Sequence, residues 1–110
     1  MASKLIYDAG FVTCVPDNGE IASGATDFFM SGVVRRLSNN TCLVVHSWAG
    51  YDFEGADLPR SDSEHQPYLE FYTSIDVNPD FYWFTLEAAS SSNMHNLTSA
   101  ERGTWAIQRP

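Results

Sequence analysis

Two arms rich in aromatic and β-branched residues, 68–77 and 81–89, flank the polar break Asn78-Pro79-Asp80. The pattern predicts a β-hairpin, because Pro79 presets φ for a type I turn and the Asn78 side chain bonds the backbone beyond it. A four-residue turn sets Asp76 opposite Phe81. Leu69, Phe71, Thr73, Ile75 and Val77 then share an apolar face with Tyr82, Phe84, Leu86 and Ala88. The other face carries Tyr72, Phe81 and Trp83 among Glu70, Asp76 and Glu87. Aromatics among acids on one face need a second layer or a partner to cover them.

The remaining segments read in the same way. Residues 41–48 (TCLVVHSW) form a strand. Residues 26–37 admit two readings. Behind a Thr26-Asp27 cap, Met30, Val33, Val34 and Leu37 recur at helical spacing, whereas Gly32, the valines and the phenylalanines disfavour a helix. The Asn39-Asn40 pair tips the balance towards a hairpin, with Val33, Arg35 and Leu37 opposite His46, Val44 and Cys42. Residues 4–15 read as a strand bent at Gly10, closed by the turn Pro16-Asp17-Asn18-Gly19. Residues 49–67 have no periodicity and form a long loop. Thr98-Ser99-Ala100-Glu101 makes one helical turn before a closing strand over 103–108. The predicted fold is all-β: a single domain over 1–110, built as an antiparallel sandwich or small barrel of about six or seven strands with little helix. No Trp lies between Cys14 and Cys42, so an immunoglobulin pattern is absent.

Composition narrows the function classes. With 44% apolar residues the chain can bury a core without metal or disulfide support. Fourteen acids against six bases give a net charge of −8. Such a chain is repelled by nucleic-acid backbones and anionic membranes and attracted to basic protein surfaces. The two cysteines, Cys14 and Cys42, sit in apolar runs and are expected to be reduced and buried. Neither a signal peptide nor an apolar run of bilayer length is present, which favours the cytoplasm or a virion.

Candidate chemistry is sparse. The loop acids Asp52, Glu54, Asp57, Asp62 and Glu64 offer oxygen ligands, but their spacing fits no calcium loop. His46, His65 and His95 are scattered, and His46 reads as a core histidine. No metal site, cofactor or catalytic group is predicted, since no nucleophile has a base in pattern and no glycine loop cradles phosphate.

The aromatics carry the functional expectation. Tyr72, Phe81 and Trp83, with the five loop acids, form the expected protein interface of a non-catalytic module. That module would dock onto a protein partner or onto copies of itself in a larger assembly, for which a viral capsid or tail is one setting. A second expectation is an acidic inhibitor whose carboxylates imitate nucleic acid, although the acids look spread along the chain. The third is a carbohydrate-binding module, with the aromatics lying flat against a sugar.

Overall fold

The computed structural model describes residues 2–15, 20–22, 24–37 and 41–109. Its elements are helix α1 (Ala2–Asp8), strands β1 (Val12–Val15) and β2 (Glu20–Ala22), helix α2 (Gly24–Met30) and strands β3 (Val34–Leu37) and β4 (Cys42–Val45), followed by helices α3 (Gln66–Ser74) and α4 (Asp80–Ala88), strand β5 (His95–Asn96) and helix α5 (Ser99–Thr104). Two 3-10 turns, Gly55–Asp57 and Ser63–His65, precede α3. The fold is mixed α/β, and this overturns the predicted all-β sandwich or barrel.

Two compact units divide the chain: Met1–Val44 with Asn96–Pro110, and Val45–His95. In the first unit β1 runs parallel to β3, pairing Val12 with Val34 and Val15 with Leu37. β2 runs parallel to β4, with β5 on the other side of β4. The predicted hairpin of 33–37 against 42–46 is therefore not formed, since β3 and β4 lie in different sheets. Residues 24–30 are helix and 34–37 strand, so the helical alternative covers only the start of that stretch, with Val33, Val34 and Leu37 beyond the helix end. A parallel pair needs a crossover between its strands, and α2 lies within the one joining β1 to β3. The predicted turns at 16–19 and 39–40 lie outside the described residues.

Arg35 is the largest fully buried side chain of this unit. Its guanidinium donates from Nε to the Ile107 carbonyl (2.7 Å), from Nη2 to Ala106 (2.8 Å) and from Nη1 to Met30 (2.9 Å). Arg35 and Arg109 also exchange two backbone hydrogen bonds. The end of the chain is thus bound to the middle of β3. The predicted strand over 103–108 is instead the last turn of α5 and this strapped segment.

Three helices end alike. In each, the amide two residues past the helix cap reaches back five residues, and the residue before it bonds within the last turn: Phe11 to Ile6 and Gly10 to Tyr7, Val77 to Tyr72 and Asp76 to Thr73, Ile107 to Arg102 and Ala106 to Gly103. The geometry requires positive φ, found at Gly10 (76°), Asp76 (60°) and Ala106 (49°). Gly10 therefore closes helix α1 and does not bend a strand.

In the second unit the predicted hairpin is a pair of helices. Phe71, Tyr72 and Ile75 on α3 and its end, and Phe81, Tyr82, Thr85 and Leu86 on α4, are buried at helical spacing. An aromatic-dense segment satisfies the two-residue and the 3.6-residue periods alike, and packing decides between them. Pro67 stands in the first turn of α3, where a missing amide hydrogen costs nothing. The polar break is a helix start: the Asp80 amide donates to Asn78 Oδ1 (3.0 Å) and the Phe81 amide to the Asn78 carbonyl (3.0 Å).

Both cysteines are free of disulfide, but Cys14 is exposed and Cys42 half-buried, against the expected burial of both. Strand β1 has one buried face (Thr13, Val15) and one open face (Val12, Cys14).

Candidate docking groove

The site lies in the second unit and begins with a ring cluster beneath it. His65, fully buried at the end of the second 3-10 turn, has Nδ1 2.7 Å from the Tyr82 hydroxyl and Nε2 3.4 Å from the Leu58 carbonyl. A carbonyl only accepts, so in a neutral His65 ring the hydrogen belongs on Nε2 and Nδ1 receives the Tyr82 hydroxyl hydrogen. Trp48 Nε1 donates to the same hydroxyl (2.7 Å). Tyr68 stacks on both Trp48 (5.4 Å) and Tyr82 (5.1 Å). Gly55 lies against the Trp48 indole, where an added Cβ would come within 2.5 Å of the ring, so the close approach requires glycine. Burial pushes the Tyr82 phenol above its ordinary value of 10.0, partly opposed by the Trp48 hydrogen bond and slightly reinforced by Tyr68.

This cluster fixes α3 and the start of α4, and with them a groove of about 500 Å³ open to solvent. One face of α3 supplies Gln66, Leu69, Glu70, Thr73 and Ser74; Pro79, Asp80 and Trp83 form the other wall. Leu69, Pro79 and Trp83 are half-buried and give an apolar floor, while Glu70 and Asp80 are exposed beside it. The His65 ring meets Trp83 edge-on at 4.7 Å. The Arg60 guanidinium sits 4.6 Å from the Trp83 ring centroid and 3.4 Å from Glu87 Oε1.

Of the predicted interface residues, only Trp83 lines this groove. Tyr72 (4% exposed) and Phe81 (0%) are core side chains, because the helix turns them inward beside Phe71 and Tyr82. The loop acids are largely engaged in shaping their own segment. Asp57 accepts from the Glu54 amide (3.2 Å), Glu54 accepts from Ser91, and Asp62 accepts from the Glu64 amide (2.9 Å). Asp52 and Glu64 are exposed. Among the described residues, no three His, Cys, Asp or Glu side chains are grouped to hold a metal ion. His46, read as a core histidine, is half-buried and bonds the Ser47 carbonyl (2.8 Å); the buried histidine is His65. No sequence signal marked the ring cluster, since Trp48, His65 and Tyr82 lie on separate segments that only the fold gathers.

Charge is divided as sharply as structure. The second unit holds Asp52, Glu54, Asp57, Asp62, Glu64, Glu70, Asp76, Asp80 and Glu87, nine acids against Arg60 alone, which accounts for the whole net charge of −8. The first unit has five acids and five bases. The acids are therefore concentrated in one unit and not evenly spread. No helix among the described residues is long and apolar enough to cross a membrane. Comparison with protein families, curated proteins and solved structures found no match to this chain.

Proposed function

We propose that the chain is a non-catalytic docking module, whose acidic unit takes a basic amphipathic segment of a protein partner in the groove between α3 and α4. One observation carries the reading: an apolar floor of Leu69, Pro79 and Trp83 flanked by Glu70 and Asp80, in a unit with nine acids and one base. A segment with leucines on one face and arginines or lysines beside them complements both features. The sugar reading gains no support, because a flat stacking surface is needed and Arg60 lies over Trp83.

The test is equilibrium binding of a synthetic basic amphipathic helical peptide, measured by fluorescence anisotropy. The variants are Glu70→Lys/Asp80→Lys and, outside the groove, Asp52→Lys/Glu64→Lys. The groove pair should weaken binding by tenfold or more, on the order expected for charge reversal at an interface, and the outside pair by much less. Equal losses from both pairs would instead mark a diffuse mimic of a phosphate backbone. Absence of binding to wild type would refute the docking reading.

A further inference from the structure

Arg60 is the one Lys or Arg of the acidic unit, and it lies over Trp83, the one aromatic ring that lines the groove. We infer that Trp83 and Glu87 form a guanidinium site which Arg60 fills from within the chain, and which an arginine of the docking partner takes over. The inference rests on the docking reading above and adds the chemistry of the anchor and a means of regulation.

The geometry has the parts such a site needs. A planar cation lies over an indole face at 4.6 Å, and a carboxylate one helical turn beyond Trp83 stands 3.4 Å from its nitrogen. The His65 edge, at 4.7 Å, holds the indole from within the unit. Stacking on a ring while pairing with a carboxylate suits the flat guanidinium better than a lysine ammonium. The internal occupant is also easy to displace. The Arg60 and Glu87 side chains are 65% and 73% exposed, so their ion pair is weak and solvent-screened. Arg60 stands on the turn closed by the Asp62 amide on the Pro59 carbonyl (2.9 Å), away from any helix or strand. Its departure breaks no element. A partner arginine arriving along the groove meets Trp83, exchanges with Arg60 and leaves it to solvent. The internal arginine thus competes most with segments that would place an arginine there, and much less with segments that make no use of the site.

The test uses two peptides of equal length and charge, one with arginine and one with lysine at all basic positions, against wild type and Arg60→Ala. Removing Arg60 should tighten the arginine peptide by about three- to tenfold, the size that one exposed cation–π contact and one exposed ion pair allow. The lysine peptide should gain distinctly less. The arginine gain should vanish in Arg60→Ala/Trp83→Leu, and the arginine preference should shrink in Arg60→Ala/Glu87→Gln, whose exposed carboxylate can be lost without unfolding. An equal gain for both peptides would show general charge relief and overturn the inference. So would a gain that survives loss of Trp83, or no gain while wild type still binds. Binding by neither protein to either peptide would instead remove the docking reading itself.

Discussion

The Tyr82 hydroxyl lies 2.7 Å from His65 Nδ1, joining the buried face of α4 to the end of the loop that leads into α3. The same oxygen accepts from Trp48. One hydroxyl therefore ties the loop at both ends to the helix that carries Trp83. Replacing Tyr82 with Phe leaves Trp48 Nε1 and His65 Nδ1 without that partner and should cost about 1–3 kcal/mol in urea denaturation.

The same residue gives a pH dependence. Burial raises the Tyr82 pKa above 10.0, so the phenol is neutral in both states below that pH. Above it the unfolded chain ionises first, and stability should fall as pH climbs from about 10 towards the folded value. Tyr82→Phe should fall less steeply over that window. Parallel slopes for the two proteins would contradict the assignment.

Arg35 holds the segment after α5 by donating to three carbonyls, those of Ala106, Ile107 and Met30. Arg35→Met should destabilise by about 2–5 kcal/mol, because buried carbonyls are left unpaired. Arg35→Lys should recover little, since a single ammonium cannot reproduce the fork. Thermal or urea unfolding of the three proteins decides the point.

Ala106 occupies positive φ with an exposed side chain, so its methyl group is strained without packing in return. Ala106→Gly should stabilise by about 0.5–1 kcal/mol in spite of the added freedom of the unfolded chain. A loss of stability would mean that the Ala106 backbone is not held in this conformation in solution.

Cys14 lies on the open face of β1, whereas the Cys42 sulfur accepts from Asn96 at 3.7 Å and is half-buried. Native-state thiol labelling should modify Cys14 quickly and Cys42 slowly. Equal slow rates would restore the burial that the sequence pattern predicted.

What the sequence made legible was local. The interruption at Asn78-Pro79-Asp80 and the helical turn at Thr98–Glu101 followed from residue chemistry, although the first proved to be a helix start and not a hairpin turn; of the strands read over 4–15 and 41–48, only 12–15 and 42–45 are strand. Tyr72, Phe81 and Trp83 were read together as aromatics left with acids, and of the three only Trp83 lines the groove. The helices α3 and α4 were not legible, because residues such as Phe71, Tyr72, Phe81 and Tyr82 satisfy both periods and carry no helix-specific signal. Parallel pairing was hidden too, since strand runs buried by crossovers read like hairpin arms. Two of the three positive-φ helix ends use Asp76 and Ala106, residues that do not announce the conformation. The groove needed α3 as a helix before Gln66, Leu69, Glu70 and Thr73 could share a face.

The central claim is that the groove between α3 and α4 receives a basic amphipathic segment, and the most direct measurement is where such a segment lands. Titrating the arginine peptide into 15N-labelled protein, the account predicts amide shift changes centred on 66–74 and 80–84, with the Trp83 and Arg60 side-chain resonances moving together. Changes centred on 5–15 or 28–37, the unit with no net charge, would contradict it.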